Sequence, residues 1–337
     1  MVKKAKKVSV RYTKRYFNIV GLYLIAYVLF ALFIPYALHT YMQSVSSDIL
    51  NDDFLYYGIY LILMLFGTLI PFFLMRLSFK IPFKKLNRSA KASFIDLFVQ
   101  TIVVFVVCIA LIFISGILLS YIGIESKLLA SIGFSFDDVN LSNPLYVFCL
   151  VFVSPLIEEY AFRGVLLNTL SKFGKRFAYF ASAIIFALAH FNLSEIIPAL
   201  AMGLLLGKTS LKYKSIHPTI FIHILFNGLL YMLCVIPDSI TKYISYGLVL
   251  IVMIAGYLIV SGKYEFIQVQ KQKSDRLISI LFYARPTIVI TMILMIIHTF
   301  IYMYLWGQNE ISKSFIFQNC IYADNGLFRS VWNILCF

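Results

Sequence analysis

Charged side chains are scarce in this 337-residue chain, because Asp, Glu, Lys and Arg together make up only 13% of it. That is about half of the share found in soluble domains. Hydrophobic residues make up 61% of the chain, which is more than a soluble domain of this length could remove from water. The scarcity of charge therefore excludes a soluble globular protein and indicates a polytopic membrane protein.

Two further absences narrow the class of protein. The five cysteines include no C-x-x-C pair, which argues against a zinc ribbon or a thioredoxin-like motif. No run of basic residues is interleaved with aromatic residues as on a nucleic-acid-binding surface, so we expect no nucleic-acid partner. The net charge of +14 comes from Lys and Arg clustered in particular loops, which is a sign of membrane topology.

Long apolar stretches predict an all-α bundle of about nine membrane spans. They lie at roughly 17–42, 55–79, 94–122, 144–171, 175–191, 194–212, 216–236, 240–261 and 282–306. A basic segment precedes the first stretch and no A-x-A cleavage site follows it, so we expect an uncleaved span with the N-terminus in the cytoplasm. Basic loops then alternate with acidic or uncharged loops, which leaves the tail 307–337 outside. The tail is apolar and aromatic, so the membrane interface is the alternative location for it.

The fourth stretch contains two adjacent carboxylates, Glu158 and Glu159. An ionisable side chain at membrane depth costs roughly 2.5–3.5 kcal/mol even on mild insertion scales, so such residues are usually paired or functional. Arg163 lies four residues after Glu159 on the same helix face, and we expect the two to form an ion pair. Glu158 lies about 100° further round the helix and is therefore the better candidate for a carboxylate that faces the bundle interior.

Three polar residues further along the chain also lie in apolar surroundings. His223 and Asn227 are four residues apart and must project from the same helix face. At a rise of about 1.5 Å per residue, Glu158 and His190 each lie roughly 20 Å from the cytoplasmic end of their spans, and His223 lies roughly 10–15 Å in. These depths overlap and are compatible with one shared cavity, which the sequence alone does not show.

These residue types favour hydrolysis. A desolvated Glu158 can act as general base on a water molecule that His190 orients, while His223 and Asn227 can donate hydrogen bonds to a developing oxyanion. Alternatively, Glu158, His190 and His223 could ligate Zn²⁺ and leave an open position for water. Both interpretations predict cleavage of an amide bond, and the residues alone do not choose between them.

The same residues resemble a known family. Glu-Glu-Tyr-Ala-Phe-Arg at 158–163, Phe-Ala-Leu-Ala-His at 186–190 and His-Ile-Leu-Phe-Asn at 223–227 are similar to the motifs E-E-x-x-x-R, F-x-x-x-H and H-x-x-x-N of the CAAX protease and bacteriocin-processing family, also called the Abi family, of intramembrane proteases. The resemblance implies catalytic roles for Glu158, His190, His223 and Asn227. It implies a supporting role for Glu159 and Arg163, and Zn²⁺ as an optional cofactor.

The resemblance also implies a division of the chain. Residues 1–143 would hold a basic N-terminal segment and three accessory transmembrane helices, residues 144–236 a four-span catalytic core, and residues 237–337 further accessory helices and an apolar tail. The abundance of Lys, Ile, Phe and Tyr is typical of an AT-rich bacterial genome, so we expect a multi-pass protein of the bacterial cell membrane. Its substrate would be a membrane-associated peptide or protein, as in members linked to bacteriocin immunity and peptide processing.

The main alternative to an intramembrane endopeptidase is a non-catalytic membrane scaffold or immunity protein. Such a protein would regulate a membrane signalling partner, for example a sensor kinase, through its spans. A transporter with a proton relay would instead predict pairs of broken helices in related halves, and the sequence has none. The sequence also lacks the H-E-x-x-H, G-x-S-G and G-x-G-D signatures of other intramembrane protease classes.

Overall fold

A computed structural model describes part of the chain, namely residues 10–45, 53–86, 92–121, 144–191, 193–235, 247 and 275–307. The regular secondary structure of these residues is helical, without a strand, so the predicted all-α class is confirmed for them. The predicted eighth span at 240–261 (apart from residue 247) and the tail after residue 307 lie outside the described residues.

In chain order the helices are α1 (Val10–Val45), α2 (Asp53–Ser78), α3 (Phe83–Leu86), α4 (Phe94–Tyr121), α5 (144–173), α6 (Lys175–Leu188), α7 (Leu193–Tyr213), α8 (His217–Val235), α9 (Asp275–Tyr283) and α10 (Pro286–Gly307). In one group, α5 packs on α6, α7 and α8, and α7 also packs on α6, α8 and α4. In a second group, α1 packs against α2 and α10, and α2 contacts α5.

Two helices in the described part of the chain are long and apolar enough to cross a membrane, over Val10–Ala31 and Phe94–Ile112. A bent pair, α9 with α10, would make a third if it counts as one span. The chain is therefore a membrane protein, and the full set of nine spans remains a prediction. Helix α6 lies in a predicted span, but its 14 residues are fewer than the roughly 20 that an α-helix needs to cross a bilayer.

The ninth predicted span, 282–306, runs through the break between α9 and α10. The two helices meet at an angle of 68°. Pro286 has no amide hydrogen and disfavours helical geometry at the preceding Arg285, so α9 ends and a new helix begins at Pro286. The hydrophobic pattern continues across this point, which is why the sequence predicted one uninterrupted span.

Helix α1 buries a single stripe of apolar residues. Phe17, Val20, Leu24 and Val28 follow one another at intervals of three and four residues and are fully buried. Aromatic rings extend this contact at one end of the bundle, where the Phe17 ring lies 4.7, 5.6 and 5.1 Å from those of Phe173, Phe177 and Phe282. The stripe therefore fastens α1 to the ends of α5, α6 and α9.

Glycines set the spacing of α5, α6 and α7. Gly174, between α5 and α6, has a φ of 142°, which side chains with a Cβ rarely adopt. On α7, a Cβ at Gly203 would lie 3.1 Å from Cα of Ala183 and 3.2 Å from Cδ1 of Phe186. Only a residue without a side chain allows α6 and α7 to approach so closely.

Candidate active site

Helix α5 changes its winding around the two glutamates. Cys149–Val153 is π-helical, Ser154–Glu158 is α-helical, and Glu159–Leu167 is again π-helical. Pro155 lacks the amide hydrogen that the preceding turn would use, which provides a local reason for the change. Such wider turns are rare and concentrate at functional sites, and the sequence analysis, which assumed regular helices, did not predict them.

Glu159 lies at the centre of a fully buried group of polar side chains with Arg163 and His223. Its Oε1 accepts hydrogen bonds from Nη1 of Arg163 at 2.7 Å and from Nδ1 of His223 at 2.9 Å. The side chains of Glu159 and Arg163 are 0% and 1% exposed, so the predicted ion pair is confirmed and is fully buried. The Arg163 guanidinium also lies 4.0 Å from the centre of the Phe186 ring, whose π face attracts the cation.

Glu158 occupies a different environment although it is the next residue. Oγ of Ser154 donates a 2.5 Å hydrogen bond to its Oε1, and its Oε2 lies 3.9 Å from Nε2 of His223. The side chain is 17% exposed, whereas that of His223 is 0% exposed. Of the two carboxylates, Glu158 is thus the one that another molecule can reach.

Ser154 is a site residue that the sequence analysis missed. It lies four residues before Glu158 and is 2% exposed. The signal was present, because a hydroxyl at this spacing faces the same side of the helix as the carboxylate. The spacing alone does not identify the partner, because a serine in an apolar helix more often bonds to the carbonyl one turn before it.

His190 lies in the turn that follows α6 and joins the same site. It interacts electrostatically with Glu158 and His223. Its Nδ1 lies 2.8 Å from the Phe186 carbonyl oxygen, to which it donates a hydrogen bond. In the neutral ring Nε2 then carries the lone pair, so His190 can accept a proton or a hydrogen bond through that atom.

Asn227 holds α8 against the first π-helical stretch of α5. It is 2% exposed, and its Nδ2 donates a 2.9 Å hydrogen bond to the Leu150 carbonyl. One amide hydrogen of Asn227 is therefore used for packing, and a second remains for another acceptor. Asn227 lies one helical turn after His223, as its spacing predicted.

Five buried polar atoms of the site have no hydrogen-bond partner among the described residues. They are Oε2 of Glu158, Oε2 of Glu159, Nη2 of Arg163, Nε2 of His223 and Oδ1 of Asn227. Buried polar atoms are nearly always paired, with protein or with ordered water. Their concentration on α5 and α8 is what a site that binds a polar reactant requires.

A zinc site formed by Glu158, His190 and His223 would require these side chains to surround one metal position. The described residues contain no group of three or more His, Cys, Asp or Glu side chains arranged to hold a metal ion. Two of the predicted ligands, Glu158 and His223, have 3.9 Å between Oε2 and Nε2. Two ligands of a tetrahedral zinc lie about 3.3 Å apart. A Zn²⁺ site of Glu158, His190 and His223 remains a prediction.

Comparison with known proteins supports the resemblance drawn from the motifs. Residues 140–229 match the family model described as type II CAAX prenyl endopeptidase Rce1-like. This range contains all three motifs, so the predicted resemblance to CAAX proteases is confirmed for it. No curated protein and no solved structure matches the chain.

Proposed function

We propose that the protein is an intramembrane endopeptidase that hydrolyses peptide bonds of membrane-associated peptides or proteins. The observation that carries this proposal is the convergence of Glu158 on α5, His190 in the turn after α6 and His223 on α8, within the segment that matches the CAAX endopeptidase family. Chance burial of polar residues would not bring together a carboxylate, two imidazoles and unpaired polar atoms at one place.

Glu158 acts as the general base in this proposal. Its Oε2 is buried, has no partner among the described residues and faces Nε2 of His223 across 3.9 Å. That separation is too long for a direct hydrogen bond and suits a bridging water. Glu158 takes one proton from this water as the oxygen attacks the scissile carbonyl carbon, and later transfers the proton to the departing amine. His190 orients the water through Nε2.

Glu159 and Arg163 orient His223 and do not contact the reacting atoms. Glu159 accepts the Nδ1 hydrogen of His223 at 2.9 Å, which fixes the imidazole so that Nε2 points to Glu158. Arg163 compensates the charge of Glu159 at 2.7 Å. This arrangement resembles the way in which a buried carboxylate orients a catalytic histidine in serine proteases.

His223 and Asn227 stabilise the oxyanion. When both ring nitrogens of His223 carry hydrogens, Nδ1 donates to Glu159 and Nε2 donates to the negative oxygen of the tetrahedral intermediate. One amide hydrogen of Asn227 is bound to the Leu150 carbonyl. Its second amide hydrogen donates to the same negative oxygen. With His223 protonated, the charges of Glu158, Glu159, Arg163 and His223 sum to zero, which lowers the cost of burying the site.

The proposal includes the topology predicted from the sequence. The chain would cross a bacterial cell membrane about nine times, with a cytoplasmic N-terminus and a core of four spans within residues 144–236. Reporter fusions placed after each predicted span test this directly. A reporter in the basic loop after α2 that is active on the external side would contradict it.

Zn²⁺ is an optional part of the proposal, with Glu158, His190 and His223 as its ligands. If a resident zinc ion is required, the purified protein contains about one equivalent, and a chelator abolishes cleavage until zinc is restored. If Glu158 activates the water without a metal, cleavage survives extensive chelation and metal content is far below one equivalent.

The test compares membrane and secreted peptides by mass spectrometry in cells that carry the wild-type protein, a deletion, or Glu158→Gln. Asp96→Asn serves as a matched control, because it makes the same change at a carboxylate that binds Lys212 on α7, outside the site. We expect Glu158→Gln to lose the same cleavage products as the deletion, and Asp96→Asn to retain them. If Glu158→Gln instead behaves as wild type while the deletion does not, the protein is a scaffold and not a protease.

A further inference from the structure

A cavity lies at the end of α5 that is remote from Glu158. Its volume is about 520 Å³, which is within the usual range for small-molecule sites. We call it the lysine pocket and define it by Lys84, Lys175 and Lys214 with the apolar residues Leu167, Leu211 and Ile216. In the proposed topology this end of the bundle faces the cytoplasm.

The three lysines come from three separate parts of the chain. Lys84 lies on α3, Lys175 begins α6, and Lys214 lies in the turn between α7 and α8. None of them forms a salt bridge within the described residues, whereas nearby Lys212 is paired with Asp96 at 3.1 Å. Ammonium groups brought together without a carboxylate repel each other and create a positive potential, which an anion would relieve.

The start of α6 strengthens this potential. The helix begins at Lys175 after Gly174, and no side chain caps its N-terminus. The first amide groups of a helix carry a partial positive charge, and such ends commonly bind phosphate and other anions. A 14-residue helix is long enough for this effect to add to the charge of the lysines.

The apolar side of the pocket indicates what kind of anion fits. Leu167, Leu211 and Ile216 contribute side chains that a small inorganic ion would not contact. A ligand with a charged head and an apolar body would use both the lysines and these walls. Anionic phospholipids have this composition and are concentrated in the cytoplasmic leaflet.

We propose that the lysine pocket binds a phosphate group, supplied by the headgroup of an anionic phospholipid. A soluble phosphate compound has the same chemistry and is the other source that the test must distinguish. This site is separate from the proposed protease site, and its occupancy can be measured whether or not the protein cleaves peptides.

The experiment measures lipid binding to the full-length protein in detergent by native mass spectrometry. The pocket variant carries Lys84→Gln, Lys175→Gln and Lys214→Gln, all at exposed positions. The control variant loses the same number of charges outside the pocket, through Lys14→Gln, Arg15→Gln and Lys80→Gln. Each protein is titrated with phosphatidylglycerol, with phosphatidylcholine of the same chains, and with inorganic phosphate as a competitor.

We expect wild type and control to bind phosphatidylglycerol in preference to phosphatidylcholine, and the pocket variant to bind it at least about tenfold more weakly. If millimolar phosphate has no effect, the lipid is the source. If phosphate binds alone and displaces the lipid, soluble phosphate compounds share the site. Equal binding by the pocket and control variants, or no preference between the two lipids, would overturn the proposal. Lys84→Gln alone gives a weaker form of the same result if the triple variant fails to fold.

Discussion

Glu158 and Glu159 are consecutive in the chain, yet α5 directs them into two regions with different physical properties. The region around Glu159 is closed to solvent, because its Oε1 accepts two short hydrogen bonds and its ion pair with Arg163 is fully buried. Oε2 of Glu159 and Nη2 of Arg163 have no hydrogen-bond partner there among the described residues. The region around Glu158 is partly open, with one firm hydrogen bond from Ser154 and a second oxygen that faces His223 across 3.9 Å. In the proposed function, one side of the helix provides stability and the other provides the reactive carboxylate.

His223 belongs to both regions. Its Nδ1 is bound to Glu159 and its Nε2 points towards Glu158. A rigid ion pair on one side can therefore set the orientation of a reactive group on the other. This division of labour predicts that substitutions on the two sides will separate catalytic rate from stability.

The largest effect should follow removal of charge on the open side. Glu158→Gln keeps the shape of the side chain and the contact with Ser154, but it removes the base. We expect the cleavage rate of purified protein to fall by about 10²–10⁴-fold, with membrane level and melting temperature close to wild type. A rate within a few-fold of wild type would exclude Glu158 as the base.

Removal of the cation from the buried Glu159–Arg163 ion pair should instead lower the stability of the protein. Arg163→Ala leaves the Glu159 carboxylate buried without its cation, which should cost about 3–5 kcal/mol of unfolding free energy. We expect a lower level in the membrane and a lower melting temperature in detergent.

A double variant sharpens this prediction. Glu159→Leu with Arg163→Met replaces the ion pair by apolar side chains of similar size, and we expect it to restore much of the stability. Activity should stay low, because His223 has lost the acceptor of its Nδ1 hydrogen. Full activity in the stable double variant would show that Glu159 does not orient His223.

Ser154→Ala tests the open side more gently. It removes the hydroxyl that donates to Glu158 Oε1 while leaving the carboxylate in place. A hydrogen bond to a charged group contributes about 1.5–3 kcal/mol, so we expect kcat to fall by roughly tenfold to a hundredfold with little change in KM. Ser154→Thr retains the hydroxyl and should recover most of the rate. Equal rates for the Ala and Thr variants would contradict a positioning role.

The smallest effect concerns the helix contact behind the site. Gly203→Ala would place a Cβ 3.1 Å from the Ala183 backbone and 3.2 Å from the Phe186 ring, and we expect a loss of about 1 kcal/mol in stability. Gly207→Ala is the matched control, because its Cβ would meet only the Tyr179 side chain, at 3.3 Å. The better helix propensity of alanine should make this control neutral or stabilising. The same loss at both positions would argue against a special contact at Gly203.

Regular spacing made part of the site predictable from sequence. Residues four apart share a helix face in almost any helical winding, so the Glu159–Arg163 pair and the common face of His223 and Asn227 could be foreseen. The all-α class followed from the length and hydrophobicity of the apolar stretches.

Features that depend on local backbone geometry or on distant contacts were not predictable in the same way. The π-helical stretches of α5 depend on how its turns pack, and the bend at Pro286 is masked by continuous hydrophobicity. The lysine pocket assembles residues from α3, α6 and the turn after α7, which are far apart in the sequence. A single sequence contains no direct record of such proximity.

The altered winding of α5 has a consequence for how the helix tolerates changes in length. A π-helical turn holds one residue more than an α-helical turn, so removal of one residue from Glu159–Leu167 could restore regular α-helix. The segments before and after the deletion would then keep nearly the same relative orientation, because the wider turn had absorbed the extra residue. The winding of α5 thus sets which carboxylate faces His223 and which pairs with Arg163, in addition to the identity of its side chains.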